Sequence, residues 1–374
     1  MRACVFAAVL VAVLGCVRSS AESVTQPRQQ SFGVILNAES GRVLETFRVN
    51  RPIRAAVADG RGGWFVGGSF IYVNGVLRKR LAHIDGNGRL DPRWKPEANG
   101  NGVSVTSLAR LGSRVYVGGD FERLDGKTRF WVGAVDTTIG KLLRWQPPSA
   151  SINYPVLLAG HRRVYLGGYA VGGGSGLVAL RAIDGRVRAD WRGNVDTSNL
   201  EGGSVRILAA RGERLYLAGI FGKVDGVAAP GIAAVDAGSG QLVRKWRPPL
   251  RSRLCTVCTQ VGALTAGLER IYAGLPTAVV ALDPLTGAID RSWRARLGGV
   301  VGGAEVTALL RVGRRLYVTG SFAAIDGKRR ESFGAVDVRT GRALRSWPPR
   351  GANAYGDVLA ASGSRILLGI EVSS

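Results

Sequence analysis

Six tryptophans stand at one place in a recurring phrase. Trp94, Trp145, Trp191, Trp246, Trp293 and Trp347 are separated by 51, 46, 55, 47 and 54 residues, and Phe47 holds the matching place 47 residues before the first. A period of about 40–50 residues is that of a propeller blade of four strands, each blade unable to bury its faces without its neighbours. The unit from 103 to 147 shows the plan. VSVTSLARLG reads as a first strand, RVYVGGDF as a second ending in a glycine pair, ERLDGKTR as a loop with an Asp-Gly turn, FWVGAVD as a third strand and LLRW as a fourth. No helical period intervenes. The phrase returns as RLYLAGIFGKVDG…GIAAVDAGSGQLVRKW and RLYVTGSFAAIDG…FGAVDVRTGRALRSW.

Two units depart from the plan. The third replaces the Asp-Gly turn by a glycine run, GGGSG at 172–176, and the fifth shortens that loop almost to nothing. The ends carry half-units: DVLAASGSRILLGI supplies two first strands, and SFGVILNAESGRVLETF supplies two last ones. Joined, they make one blade. The expectation is an all-β chain, a seven-bladed β-propeller of four-stranded blades closed by a blade split between the termini, which leaves no open edge.

The recurring residues have physical reasons. Burying one indole between sheets stabilises by about 2–3 kcal/mol. Ala134, Ala234 and Ala335 leave room for a ring to lie flat. Asp136, Asp236, Asp283 and Asp337 start tight turns as Asx residues, and Gly140, Gly240, Gly287 and Gly341 supply positive φ.

Residues 1–21 read as a signal peptide: Arg2, a short apolar run and a small-residue cleavage site at Ser19-Ser20-Ala21. A lipoprotein signal with Cys16 as the lipidated residue is the rival. Residues 22–30 form a linker and 31–374 the single propeller domain. The expected location is secreted or extracytoplasmic, alternatively lipid-anchored through Cys16, with no transmembrane span in the mature chain. In that compartment Cys255 and Cys258 read as a loop-closing disulfide. Position 259 is Thr, which excludes covalent haem at this pair, and two histidines in the whole chain leave zinc short of ligands.

The phrase VNGVLRKRLAHIDGNGRLDPRWKP closely resembles the delta-sixty propeller repeat of exported bacterial proteins. AVDAGSGQLVRKW, ALDPLTGAIDRSW and AVDVRTGRALRSW are similar to the tryptophan-docking motif of pyrroloquinoline-quinone propellers, with five residues rather than three between Gly and Trp. Over residues 31–372 the resemblance implies a propeller and a binding or scaffold role. For Trp94, Trp145, Trp191, Trp246, Trp293 and Trp347 it implies structural docking. The calcium ligands and adjacent-cysteine disulfide of the quinone enzymes have no counterpart, so no cofactor, no metal and no catalytic residue is expected.

The formal charge is +24, from 51 Lys and Arg against 27 Asp and Glu. Such a surface attracts polyanions. The loop between second and third strands concentrates the charge in Arg78, Lys79, Arg80, Lys127, Arg129, Lys223, Lys328, Arg329 and Arg330, which are candidate ligand-binding residues on one face. Solubility alone also places Lys and Arg in surface turns. His83 lies in a strand where other units carry Ala, and His161 in a turn. Neither is expected to act as a base. Asp120, Glu122, Glu201, Glu305 and Glu331 are acids outside the strict repeat and form no recognisable pair. The reading is an exported non-enzymatic binding or scaffold protein for an anionic envelope ligand or a protein partner. The alternative is a propeller enzyme, quinoprotein-like or glycan-cleaving. Export and the lack of a stacking platform argue against nucleic acid.

Overall fold

The computed structural model describes residues 30–100, 102–147, 152–170, 175–197, 200, 202–250, 260–299, 305–344 and 355–372. The signal segment with Cys16, the Cys255–Cys258 pair, Glu201 and Trp347 lie outside them. No helix in the described residues is long and apolar enough to cross a membrane. Every regular element is a strand, and all ladders are antiparallel.

In repeat two the first strand, Ser104–Leu111, turns into the second, Arg114–Asp120, whose far edge takes the third, Val132–Asp136. The first strand alternates in burial. The second is buried at five consecutive positions from Val115, because neighbouring sheets cover both its faces. The same three strands recur in repeat one (Ile53–Ala58, Trp64–Gly68, Leu81–Ile84) and repeat three (Ile152–Gly160, Arg163–Ala170, Leu177–Arg181). They recur again in repeat four (Ser204–Arg211, Arg214–Ile220, Ile232–Asp236) and repeat six (Glu305–Val312, Arg315–Ser321, Phe333–Asp337).

The glycine that ends the second strand answers a close approach. A Cβ on Gly119 or Gly219 would stand 2.1 Å from the carbonyl oxygen of Ser104 or Ser204, where the first strand bulges.

Among the described residues the expected fourth strand is full-length in two sheets. Repeat five has Ala263–Ala266, Ile271–Leu275, Ala278–Leu282 and Ile289–Gly298. The composite sheet runs Tyr355–Ser362, Arg365–Val372, Gln30–Asn37, Val43–Val49. Elsewhere it shrinks to one bridge, as Val135 with Leu142 or Val235 with Leu242. The cause is the tryptophan, which must leave the sheet edge to reach the next repeat. In repeat five the ladder slips around Trp293 instead, and the composite sheet carries Phe47 in place of a docking indole.

The two chain ends share one sheet. Gln30–Asn37 pairs with Arg365–Val372 over eight consecutive residues, from Gln30 opposite Val372 to Asn37 opposite Arg365. First strands pack in succession: Ile53–Ala58 on Ser104–Leu111, then Ile152–Gly160, Ser204–Arg211, Ala263–Ala266, Glu305–Val312 and Tyr355–Ser362, which returns to Ile53–Ala58. Seven apolar clusters lie among the described residues, and each is shared by two neighbouring sheets. The core therefore sits between sheets, not within any of them.

Candidate functional site

One interface motif recurs around the molecule. Trp94, Trp145, Trp191, Trp246 and Trp293 are at most 8% exposed. Each indole Nε1 donates to a carbonyl in the next repeat's turn after its third strand: Asp136, Arg181, Ala237, Asp283 and Val338, at 2.9–3.2 Å. Beside four of these indoles packs a tyrosine from the second strand, as Tyr116 on Trp145 at 5.0 Å and Tyr216 on Trp246 at 5.1 Å, and beside Trp94 it is Phe65 at 4.8 Å. The tyrosine hydroxyl donates to the same turn, Tyr116 to Ala182 (2.7 Å) and Tyr216 to Pro284 (3.0 Å). Burial pushes the Tyr116 phenol up to about 12. The turn glycine closes the joint: Gly240 has φ 81° and a Cβ there would meet Trp191 at 2.8 Å.

The loops between second and third strands are small hairpins on the face where first strands begin. Their central pairs Asn74-Gly75, Asp125-Gly126, Asp225-Gly226 and Asp326-Gly327 all have positive φ, the type I′ conformation. Each pairs with chain leaving the preceding sheet, as Arg123–Leu124 with Ala98–Asn99 and Ala324–Ile325 with Leu297–Gly298. The Asp326 carboxylate accepts from the amides of Arg296 and Ala343, 2.9 Å each, and so ties repeat five to repeat six. Asp225 does the same with Asn194 and Leu242. That carboxylate is a fastener as well as a turn former.

The nine basic residues on these hairpins divide by their partners. Arg78 is 8% exposed, and its guanidinium donates to the carbonyls of Leu77, Asp91 and Pro92. Burial draws its pKa down, against the pull of the Asp91 charge. Arg330 donates to the carbonyls of Arg329 and Leu344, Arg129 to that of Thr128, and Arg80 to that of Ala98. Lys328 reaches the Ala343 carbonyl at 3.0 Å. Lys79 pairs with Glu97 at 2.9 Å, and that hydrogen bond holds the Glu97 carboxyl below its usual range. Arg329 pairs with Glu331. Lys127 and Lys223 have no ion-pair partner among the described residues. Four repeats thus bring the nine to one face, and backbone carbonyls engage five of them.

His83 has a role that its sequence position did not announce. Its ring stacks on Phe65 (4.6 Å, 26°). Nε2 lies 3.0 Å from Asp59 Oδ2 and Nδ1 3.1 Å from Asp91 Oδ2. Burial works to raise both carboxyls. Hydrogen bonds from His83 and from backbone amides outweigh it, and both are held below the ordinary carboxylate range. The paired positions elsewhere are Tyr and Ala, as Tyr116 opposite Ala134. In repeat one they become Phe65 opposite His83. The carboxylates sit at opposite ends of the ring and share no ligand point. No cluster of three or more His, Cys, Asp or Glu able to hold a metal occurs among the described residues.

The opposite face carries the turns between first and second strands and between third and fourth. Between repeats two and three these turns border an open cavity of about 1100 Å³ lined by Arg114, Arg162, Arg163, Arg181 and Arg188, with Leu111, Ile183 and Val187 between them.

No family model matches the chain, and no curated protein does. Solved structures do resemble it. One is of YCF48 bound to D1 peptide, at 11% identity and TM-score 0.53, covering 91% of this chain and 97% of that one. A chain of the mitotic checkpoint complex has 15% identity and TM-score 0.52, with both chains fully covered. An extracellular domain from B. thetaiotaomicron has 13% identity and TM-score 0.53, covering 93% of this chain but 40% of that one. At such identities the likeness is one of fold, and the fold is a β-propeller.

Proposed function

We propose that the chain is an exported, non-enzymatic binding propeller of seven blades, closed by the sheet that its two ends share. The support for closure is the unbroken succession of first strands together with the eight-residue ladder between Gln30–Asn37 and Arg365–Val372. Export rests on the signal-like segment at 1–21, and the Cys255–Cys258 bridge belongs to the same reading. The ligand is an anionic envelope polymer or a partner protein, taken by loops on a rigid frame. A propeller seen with a bound peptide, YCF48, is in keeping with that role.

The observation that carries the reading is the basic charge gathered on the hairpin face by four repeats, with Lys127 and Lys223 free of ion pairs among the described residues. Retention on purified cell envelope tests it. Lys127→Glu with Lys223→Glu is expected to weaken retention and make its loss with salt shallower, while circular dichroism stays unchanged. Retention indifferent to both salt and these changes removes the hairpin face from the account.

A further inference from the structure

Repeat three breaks the pattern of its siblings at one spot. In the ladder of second and third strands, Arg114 faces Asp136, Arg214 faces Asp236 and Arg315 faces Asp337. In repeat three Arg163 faces Arg181. Like charges directly opposite in a sheet oppose its formation. The neighbouring turn departs too. Its siblings begin with glycine at positive φ (Gly112, Gly212, Gly313, Gly363), whereas repeat three places His161 at φ 50° and Arg162 at φ 61°. Non-glycine residues in this region are strained, and such strain gathers at binding sites. Both departures line the same cavity.

Charge there is lopsided. Five arginines line the cavity against one acid, Asp190, which is held by Arg188. Arg181 has a 3.5 Å contact with Asp184, and Arg163 donates to the Ala237 carbonyl. Arg114 and Arg162 make no ion pair among the described residues. Beside the guanidiniums Ile183 is 63% exposed and Val187 48%. Of the aromatic rings in the lining, Tyr116 is fully buried with its hydroxyl spent on Ala182, and the His161 imidazole has its Nδ1 3.5 Å from the Glu213 carboxylate.

We infer that this cavity is a docking site for a partner protein's acidic segment, in which carboxylates alternate with branched apolar side chains. Guanidinium forks take the carboxylates in pairs, and Ile183 and Val187 take the apolar groups. The inference deepens the binding-module reading by naming a partner chemistry, but it uses the face away from the hairpins. Its site and that of the envelope reading therefore fail separately.

The test is fluorescence anisotropy with a labelled peptide of about eight alternating Glu and Leu residues, extended enough to cross the cavity. Saturable binding is expected, absent for a Lys-Leu peptide. Arg181→Asp restores the residue that three sibling repeats carry, so this variant is expected to fold at least as well as the parent, which its thermal melt checks. It is expected to weaken binding about tenfold or more. Lys127→Glu with Lys223→Glu leaves peptide binding unchanged. No saturable binding by the parent overturns the site, as does equal binding by Arg181→Asp. Dextran sulfate as the one polyanion whose binding responds to Arg181→Asp overturns the peptide assignment. Loss of envelope retention alone touches only the hairpin reading.

Discussion

Repeats two and three have the same interior and different edges. Tyr116 and Trp145 in one, Tyr165 and Trp191 in the other, clamp the following repeat with the same three parts: a ring pair, an indole donor and a phenol donor. At the edges repeat two keeps the Asp-Gly hairpin, the Asx turn at Asp136 and a glycine-led first turn. Repeat three gives up all three. The pairing shows which constraint is shared and which is local. Contacts between sheets cannot vary without opening the stack, whereas a turn answers only to its own geometry and to whatever it touches outside.

The largest test of that division is in the shared part. Trp145→Ala and Trp191→Ala are each expected to destabilise by about 3–5 kcal/mol, read from urea melts, because each removes a buried ring and its interface hydrogen bond. A markedly smaller effect for Trp191 breaks the claim that the two interiors are equivalent. Repeat one varies the same interior by exchanging Tyr and Ala for Phe65 and His83. His83→Ala leaves Asp59 and Asp91 without their ring donor, and a loss of about 1–3 kcal/mol is expected near neutrality. Both carboxyls are depressed in the fold. Their contribution is therefore present above the ordinary carboxylate range and disappears as pH falls through their lowered values. Acid titration of thermal stability should show a shallower acid limb in His83→Ala than in the parent. An identical limb sinks the coupling.

The edges give smaller effects of opposite sign. Asp136→Arg removes the carboxylate that accepts from Thr138 and Ile139 and sets a second guanidinium opposite Arg114. A cost of about 1–2 kcal/mol is expected by thermal melting. The mirror change, Arg181→Asp, is expected to gain about 0.2–1 kcal/mol. If both swaps destabilise alike, the two turns are not interchangeable and repeat three has adapted its surroundings to Arg181.

The tryptophan register, the Asp-Gly hairpins and the half-units at the two ends could all be read along the chain, because each follows from spacing or from a local turn preference. Three things could not. The fourth strands shorten because Trp145 and its equivalents leave the edge to dock, a demand made by the next repeat. Arg78, Arg129 and Arg330 read as surface cations but lean on nearby backbone carbonyls, and side-chain direction has no sequence signature. His83 meets Asp59 and Asp91 only once three strands lie side by side. The cavity of repeat three was more accessible. Aligning the Arg-x-Tyr strands with the turns that follow sets Arg181 against Asp136, Asp236 and Asp337, a reversal visible before any coordinates.

The ladder between Gln30–Asn37 and Arg365–Val372 has a kinetic side. Its partners come from the two ends of the chain, and the neighbouring bond from the Trp64 indole to the Ala360 carbonyl spans 296 residues. Contacts so remote form late, because the entropy of closing so long a loop is met before they can reward it. Until then the edge of Gln30–Asn37 that will take Arg365–Val372 lacks its partner and can pair with another molecule. Once joined, each of these two strands is held along the ladder by the other, and pulling either away must break all eight of its paired positions. Slow, concentration-sensitive refolding and equally slow unfolding would then be two faces of one ladder.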